Sequence, residues 1–426
     1  MQNLITDTGK YKVRVFGQLN SPEAYAIRDF LSRSVVEFDW IELTCDADCE
    51  RELGLPSLET AQLPVVELPD GNRLFAPSVR ELADELGWVI QPKFKEYDLS
   101  IYGAGPAGLS AAVYAASEGL RTVLIERQAV GGQAGTSSLI ENYMGFPKGI
   151  SGAELAERAR QQAIKFGIEI LLLREGVKSE FRDNRIYTDM ADGSKMVAKA
   201  NICATGVEYR RLGLANENQF LHRGLYYGAG AGEAPMCINE NVYVVGGGNS
   251  AGQAAMHFSR YAKKVTMIVR GKNLASALSH YLLTRIEENR KIEVLYNSKI
   301  TALNGNEALE EIEIADTLNQ TVQRQETRRL FVCIGGAPNT EWAKETNIIR
   351  DATGYLVTGQ DLQKFPNFSE IWKQPRSPFH LETSVPGSFA AGDVRHKSVK
   401  RFATAVGEGA MAVTFVHQYL WERNLE

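Results

Sequence analysis

The chain has 426 residues, a length that corresponds to about three domains of ordinary size. Hydrophobic residues make up 44% and charged residues 23% of it, which is too apolar for disorder, and the net charge of −5 excludes a general basic field for nucleic acid or acidic lipid. Its apolar runs are strand-sized, far short of the ~20 residues of a membrane helix, and its start lacks the apolar core of a secretory signal. Five cysteines exclude a disulfide scaffold, and their odd number fits a reducing compartment, so we expect a cytoplasmic protein.

Residues 1–91 form the first predicted domain. Strands are predicted in YKVRVF and VEFDWIEL, and Ser21 with Pro22 predicts the start of a helix over 22–33. A hairpin with its turn at Asp70-Gly71 follows, and a last helix ends at Gly87. The resulting order, β-α-β-(α)-β-β-α, resembles a glutaredoxin or thioredoxin-like fold. A short polar stretch around 91–93 is the expected linker to the rest of the chain.

Two later segments, 98–127 and 241–270, repeat one pattern. Each has an apolar run, a glycine-rich turn, an alanine-rich helix and a second apolar run. This is the strand–turn–helix–strand unit of a parallel sheet. Such a duplication is a strong signal of domain organisation. The predicted fold class is therefore α/β, with two Rossmann-like nucleotide-binding domains of the three-layer ββα type behind a thioredoxin-like α/β domain.

The first glycine-rich turn is a dinucleotide-binding motif. Gly103-Ala-Gly105-Pro-Ala-Gly108 follows a strand and opens a helix, and Glu126 ends the next strand. The glycines permit a tight turn and the close approach of a pyrophosphate to the helix N-terminus. Glu126 is expected to accept hydrogen bonds from a ribose diol. This context predicts a bound dinucleotide.

Downstream segments are similar to the thioredoxin reductase family of flavoproteins. They are GGQAGTSSLIENYMGFP (131–147), ICATG (202–206), CIGGAPNT (333–340) and FAAGD (389–393). The resemblance spans about 92–426 and implies an FAD-binding domain of 92–210 and 336–426, with an NAD(P)H-binding domain of 211–335 inserted in it. It further implies a homodimer. We expect no catalytic side chain and no metal, because hydride transfer to a flavin depends on positioning.

The resemblance also implies which positions hold FAD. Gly132, Gln133 and Asn142 are expected to line the cofactor, and Gly392 with Asp393 to meet its ribityl chain and pyrophosphate. The next helix is expected to direct its positive N-terminal end at the flavin, where it stabilises the negative charge of the reduced ring. The predicted FAD contacts are Gly103, Gly105, Pro106, Ala107, Gly108, Glu126, Gly132, Gln133, Asn142, Val177, Ala204, Thr205, Gly206, Gly392, Asp393, Arg401, Phe402 and Ala403.

The second glycine-rich turn predicts a nicotinamide nucleotide. The strand after it ends in Arg270, where an acidic residue favours NAD and an arginine accommodates the 2′-phosphate of NADP. The family usually has a His-Arg-Arg clamp with a further arginine, and this chain keeps one arginine and adds Lys272. NADPH is the predicted donor; the alternative is a pocket that has lost nicotinamide or holds another nucleotide. The predicted contacts are Gly246, Gly248, Asn249, Ser250, Ala251, Arg270 and Lys272.

The redox dithiol of the family is missing. Thioredoxin reductases carry Cys-x-x-Cys just upstream of the second turn, which corresponds here to Gly228 and Ala231 or to Ala229 and Gly232. Neither register contains a cysteine. Without a thiolate there is no nucleophile to attack a disulfide and no dithiol to take electrons from the flavin. The usual thioredoxin reductase mechanism therefore cannot operate.

The five cysteines that are present do not replace the dithiol. Cys203 and Cys333 lie in predicted buried strands, and Cys237 has no partner, so all three are interpreted as small core residues. Cys45 and Cys49 are four residues apart and could share a helix face as a regulatory pair, or be a surface coincidence.

The redox position of a thioredoxin fold is the start of its first helix. That position reads Asn20-Ser21-Pro22-Glu23 here and contains no thiol. The N-terminal domain is therefore interpreted as a docking or dimer-shaping module that has lost its redox centre.

Three functions are compatible with these patterns. The leading hypothesis is a flavoprotein oxidoreductase that passes hydride from NADPH to FAD and then to an acceptor other than a directly bound disulfide, such as a redox protein, a quinone or oxygen. A ferredoxin–NADP reductase of the same fold is the second, although the chain ends at YLWERNLE without the expected aromatic extension. A non-catalytic FAD-binding sensor or scaffold is the third.

Overall fold

The structure is a computed structural model that describes residues 12–228 and 230–423, apart from the side chain of residue 231. By internal contacts the chain divides into two compact units. One comprises 1–87, 136–139 and 209–335, and the other comprises 88–135, 140–208 and 336–426. In the described part of the chain, no helix is both long and apolar enough to cross a membrane.

Residues 12–87, here called the N-terminal module, have the predicted element order. The elements are β1 (Val13–Gly17), α1 (Pro22–Arg33), β2 (Phe38–Glu42), α2 (Asp46–Leu53), β3 (Val65–Glu67), β4 (Arg73–Phe75) and α3 (Val79–Glu85). The sheet order is β2-β1-β3-β4, in which β1 is parallel to β2 and antiparallel to β3. Helix α1 begins as expected, because Ser21 Oγ accepts a hydrogen bond from the Ala24 backbone N–H at 3.1 Å.

The first repeat starts the second unit. Its elements are β5 (Tyr97–Tyr102), α4 (Pro106–Ser117), β6 (Thr122–Glu126), α5 (Gly152–Lys165), β7 (Glu169–Leu172), β8 (Gly176–Arg182), β9 (Arg185–Met190), β10 (Lys195–Cys203) and β11 (Val207–Tyr209). Strands β7, β6, β5 and β10 are parallel neighbours, and β9 and β8 extend the sheet as an antiparallel hairpin. Their apolar residues are almost continuous because both faces of the parallel part are covered.

The second repeat lies in the first unit and forms the domain for which the glycine-rich turn predicts nucleotide binding, here called the nucleotide-binding domain. Its elements are α6 (Glu217–Phe220), β12 (Leu225–Tyr227), a 3-10 segment (Ala231–Cys237), β13 (Asn241–Val245), α7 (Asn249–Phe258), β14 (Lys264–Ile268), α8 (His280–Glu288), β15 (Ile292–Leu295), β16 (Ser298–Asn304), β17 (Glu311–Asp316), β18 (Thr321–Glu326) and β19 (Leu330–Val332). Five strands form a parallel sheet in the order β12-β19-β13-β14-β15, and β16 to β18 form an antiparallel sheet.

The chain then returns to the second unit and completes its sheet. The last elements are β20 (Gly336–Pro338), α9 (Phe368–Ile371), β21 (Ser388–Ala390) and α10 (Phe402–Arg423). Strand β21 pairs in parallel with the end of β10. Helix α10 packs closely on α4: a Cβ at Gly409 would lie 2.1 Å from Ala107 O, and Ser110 Oγ donates to Val406 O at 2.7 Å. Only glycine allows this close approach of the two helices.

Candidate functional site

The two glycine-rich turns have the same local geometry. The Gly103 N–H donates to Ile125 O at 2.8 Å, and its counterpart Gly246 N–H donates to Ile268 O at 3.0 Å. Both glycines have positive φ, +101° and +140°, and a Cβ would lie 2.4 Å from Ala204 O at the first and 2.3 Å from the Cys333 carbonyl oxygen at the second. Each first glycine is therefore required for the turn itself.

The second glycine of each turn has a different role, because the space beside it is open. A Cβ at Gly105 would meet no atom closer than Gly132 Cα at 3.9 Å, and one at Gly248 would meet nothing within 4 Å. Both residues stand directly before a helix, α4 and α7 respectively. The free volume lies at a helix N-terminus, where backbone N–H groups and the helix dipole favour a phosphate.

Glu126 ends β6 and is 93% buried beside the first turn. Its carboxylate accepts hydrogen bonds from the backbone N–H groups of Ala104 at 2.7 Å and Gln128 at 2.8 Å. These bonds fix the side chain and leave a lone pair on each oxygen, since a carboxylate has about four acceptor sites. Glu126 can therefore still accept from a ribose diol, and its contact with FAD stays a prediction.

A cavity of about 330 Å³ opens beside Glu126. Of the predicted contacts, Gly103, Glu126, Val177 and Thr205 line it. Val177 is 48% exposed, so the cavity carries an apolar side chain at its surface that can pack on a flat ring. The cavity is also lined by the basic residues Arg127, Arg174 and Lys178. Its place at the end of a parallel sheet matches the place expected for the adenosine part of a dinucleotide.

Arg174 and Asn201, which the sequence patterns did not indicate, also line this cavity. Arg174 is 95% buried and pairs with Asp192 at 3.1 Å, yet its Nε has no hydrogen-bond partner within the described residues. Asn201 Oδ1 is likewise buried without a partner there. Unpartnered buried polar atoms are costly, so the wall fits a ligand with polar groups. Arg174 follows β7, and the rule that ligands bind at the carboxyl ends of parallel strands could have identified it.

The glycine-rich 131–133 segment lies against the first turn. The Gly131 N–H donates to Ala104 O at 2.8 Å, a Cβ at Gly132 would lie 3.1 Å from Gly105 Cα, and Gln133 Nε2 donates to Val207 O at 2.7 Å. Gly132 thus faces the open space beside Gly105. The side chain of Gln133 is held by the backbone, which orients this segment.

The segment around residue 392 closes the other side of α4. Gly392 has φ +78°, and a Cβ there would lie 2.9 Å from Ala107 Cβ. Its N–H donates to Glu408 Oε2 at 2.7 Å. Burial raises the pKa of Asp393, with Lys400 opposing the effect. Within this unit, the structure therefore brings the 103–108, 131–133 and 392–393 segments to the N-terminal end of one helix.

The remaining FAD predictions fall at the start of α10. The helix begins at Phe402, so Arg401 is the residue before it and Ala403 lies in its first turn. The ring of Tyr143 contacts that of Phe402 edge-on at 4.8 Å between centroids, which holds the loop with the exposed Asn142 against this helix end. In the described structure Asn142 does not reach the cavity beside Glu126.

The nucleotide-binding turn is held by its own side chains. Asn249 Oδ1 accepts a hydrogen bond from the Ser279 backbone N–H at 2.8 Å, and Ala251 is fully buried under the turn. Ser250 is exposed at the start of α7. Arg270 and Lys272 are exposed just after β14, where a 2′-phosphate would be placed by the motif.

Three of the cysteines are buried core residues, as expected from their predicted positions. Burial raises the pKa of Cys203, Cys237 and Cys333 to about 12. Ala229, one of the four positions where the dithiol was sought, lies outside the described residues. The positions themselves carry no sulfur, and the neighbouring Cys237 is a protonated core residue.

Cys45 and Cys49 do not share an exposed helix face, which their spacing had allowed. Cys45 is exposed at the N-cap of α2, whereas Cys49 is fully buried and directs its thiol to Ser57 O at 3.5 Å. The two residues are only four positions apart, but the first is exposed to solvent and the second is packed in the core of the module.

Two glycine-rich strand–turn–helix units, one in each compact unit, are typical of a flavin- and nicotinamide-dependent oxidoreductase. Residues 97–409 match the model of the family described as pyridine nucleotide-disulphide oxidoreductase. The chain belongs to this family, and within it is thioredoxin reductase-like. It is an FAD-dependent NAD(P)H oxidoreductase, in a family that binds FAD and uses NADPH.

Relatives and solved structures agree with this assignment. The thioredoxin reductase of Treponema pallidum (strain Nichols) is 36% identical over 330 residues, covering 76% of this chain and 97% of that protein. The thioredoxin reductase of Bacillus subtilis (strain 168) is 33% identical, covering 77% of this chain and 96% of that protein. The structure of Lactococcus lactis thioredoxin reductase superposes with a TM-score of 0.68 at 28% identity, covering 76% of this chain and 99% of that chain. T. acidophilum thioredoxin reductase gives the same score and identity over 78% of this chain.

Proposed function

We propose that this chain is a flavoprotein oxidoreductase that passes hydride from NADPH to FAD and then to an electron acceptor other than a disulfide bound at residues 228–232. The observation that carries the proposal is the chemistry of this segment. Residues 228–232, where the thioredoxin reductase family carries its dithiol, contain no cysteine, and burial keeps the nearby Cys237 protonated by raising its pKa to about 12. A mixed disulfide requires a thiolate, so none can form here.

The residues at the two turns fit the two nucleotides. We propose that the N-terminus of α4, with Gly105 and Gly132 beside it, binds the FAD pyrophosphate, and that Glu126 binds the ribose. The positive end of α10 stabilises negative charge on the flavin ring. Bound FAD supplies the hydride acceptor for NADPH and a donor for the second substrate. The chain's own contribution is to bind and orient, which explains how activity survives without a cysteine pair.

We further propose that the N-terminal module has a thioredoxin-like fold without a redox function. Its sheet order and its β-α-β-α-β-β-α element order support the fold. Its first helix starts at Asn20-Ser21-Pro22-Glu23, and Ser21 is used there to cap the helix. A docking or dimer-shaping role fits this module better than electron transfer.

Anaerobic mixing of the FAD-loaded protein with NADPH tests the enzyme proposal. We expect loss of the visible flavin absorbance, and reoxidation by an artificial one-electron acceptor, but no reduction of thioredoxin. A matched variant replaces all five cysteines by alanine or serine, and we expect it to retain flavin reduction. A flavin that NADPH and NADH both fail to reduce would support the sensor instead.

Thioredoxin reduction by the wild type would contradict the proposal. If that activity disappeared in the Cys45→Ser, Cys49→Ser double variant, the N-terminal module would be the disulfide centre. If it persisted in that variant, another thiol would be responsible.

A further inference from the structure

Two faces of helix α1 in the N-terminal module pack against other parts of the protein. The face inside the module carries Ala24, Ile27 and Leu31, all fully buried. An adjacent face, turned by about 100°, carries Tyr25, Arg28 and Ser32, at the i, i+3 and i+7 spacing of one helix face. An isolated module would leave this second face exposed to water. In the structure it contacts the nucleotide-binding domain, which belongs to the same compact unit.

A buried ion pair joins the two domains. Arg28 Nη1 lies 3.0 Å from Glu233 Oε1, and the two side chains are only 3% and 4% exposed. The Arg28 guanidinium also lies 4.5 Å from the ring centroid of Trp40, within its own module. Desolvation opposes the burial of two charges, so such a pair indicates a fixed contact more than a gain in stability. Removing one partner leaves an unpaired buried charge.

Aromatic contacts surround this pair. The Tyr25 ring stacks on His222 with 4.1 Å between centroids and lies 5.5 Å from Tyr226. Tyr226 in turn stacks on Phe331 at 5.1 Å, inside the core of the nucleotide-binding sheet. Burial lowers the pKa of His222 to about 4, with Arg211 contributing, so the ring is neutral at physiological pH. The contact thus continues the core of the domain into the module.

The third residue of the face, Ser32, covers Gly232, one of the four positions where the dithiol was sought. A Cβ built on Gly232 would lie 3.4 Å from Ser32 Oγ and 3.8 Å from Ser32 Cβ. A side chain at this position would therefore touch α1 directly. Any separate protein that approached the 231–237 segment from this direction would meet the module first.

We propose that the N-terminal module is a permanent occupant of the surface over the 231–237 segment, held there by the Arg28–Glu233 ion pair. No separate protein binds at this surface, and the enzyme works with the module in place. The electron acceptor consequently reaches the enzyme elsewhere; only this last statement rests on the proposed function.

An engineered cross-link tests the placement. The 3.8 Å between the two Cβ positions equals the mean Cβ–Cβ distance of a disulfide, about 3.8 Å, so Ser32→Cys with Gly232→Cys is expected to cross-link in the FAD-loaded full chain. A Cys45→Ser background removes the exposed thiol. The matched control is Ser21→Cys with Gly232→Cys. Ser21 is eleven residues, or about 16 Å of helix, away from Ser32, too far for a disulfide.

The cross-link is measured by mass spectrometry and its effect by flavin reduction with NADPH. We expect cross-linking of the first pair alone and no loss of the reduction rate. Absence of the cross-link would overturn the placement. A loss of flavin reduction that chemical reduction of the disulfide restores would show that the module must move, and would also overturn the proposal. Failure of NADPH to reduce the wild-type flavin would refute the proposed function and leave the cross-linking result valid.

A second measurement tests the ion pair. Cys237 is fully buried, and its thiol donates to Glu233 O at 3.3 Å, so its alkylation reports on opening of the 231–237 segment. In Arg28→Met we expect alkylation of Cys237 to accelerate by about a hundredfold or more, while Cys203 in the other unit stays protected. The control Glu37→Gln removes an exposed ion pair of the same module, with Lys12, and should change neither rate.

A variant in which the two charges are exchanged provides an independent test of the ion pair. Arg28→Glu with Glu233→Arg should restore protection of Cys237 at least in part. An unchanged rate in Arg28→Met would overturn the role of the pair, and equal acceleration at Cys203 would show global unfolding and overturn it too.

Discussion

Gly105→Val should separate FAD binding from folding. A side chain at this position meets no protein atom closer than Gly132 Cα at 3.9 Å, and the backbone φ of −73° is open to any residue. The apoprotein should therefore fold normally. The valine methyl groups would occupy the space at the N-terminus of α4 that we assign to the pyrophosphate.

The expected loss follows from the contacts removed. Two hydrogen bonds between backbone N–H groups and a charged phosphate contribute about 1.5–3 kcal/mol each. Their loss corresponds to about a hundredfold to ten-thousandfold weaker binding of FAD. The assay is titration of apoprotein with FAD, combined with the flavin-to-protein absorbance ratio of the purified variant.

The control is Gly103→Ala. A Cβ there would lie 2.4 Å from Ala204 O at a φ of +101°, so this variant should lower the melting temperature of the apoprotein itself. A Gly105→Val protein that keeps its full flavin content would refute the assignment of the pyrophosphate. If the melting temperature of the Gly105→Val apoprotein fell as far as that of Gly103→Ala, the space beside Gly105 would not be open as we infer.

Three further predictions concern single sites. Arg270→Ala with Lys272→Ala should raise the KM for NADPH about tenfold without changing that for NADH, since two exposed cations each contribute modestly; an unchanged preference in steady-state kinetics would place the 2′-phosphate elsewhere. Glu126→Gln should weaken FAD binding by about tenfold, through loss of the charge that strengthens a ribose hydrogen bond, and an unchanged Kd would exclude the ribose contact. Burial raises the pKa of Asp98, but hydrogen bonds from Arg121 and Lys199 outweigh this effect and lower the pKa to about 2. The ionised carboxylate therefore stabilises the fold above its unfolded pKa near 4, and this stabilisation is lost as the pH falls through 2. Between pH 4 and pH 2, the free energy of unfolding of Asp98→Asn should fall by about 2 kcal/mol less than that of the wild type. Equal decreases in the two proteins would contradict this prediction.

Local patterns made most of the fold predictable. The helix at Pro22–Arg33, the hairpin turn before Arg73 and both glycine-rich turns depend on residues within a few positions of each other, so their chemistry is visible in the sequence. The same holds for Glu126, which ends a strand at the expected distance from its turn.

Contacts between distant residues were not predictable in this way. Arg28 and Glu233 are 205 positions apart, and nothing near either residue indicates a buried partner. Arg174 lines the cavity only because β7 lies beside β6 in the sheet. In a single sequence a buried cation resembles a surface cation, since the difference lies in the partner that tertiary packing provides.

The pairing of β21 with the end of β10 fixes the order in which the enzyme can be completed during synthesis. Residues 201–203 and 388–390 pair directly, and the whole nucleotide-binding domain is encoded between them. At ribosomal rates of about 5–20 residues per second, the intervening chain takes roughly 10–40 s to appear. Once residues 330–332 have been made, the inserted domain has every strand it needs, whereas the sheet of the second unit still lacks a strand and α4 still lacks the helix that packs on it. The segments at the N-terminal end of α4 therefore come together only after α10 has been made, and a chain released before α10 would carry a finished inserted domain and an unfinished second unit.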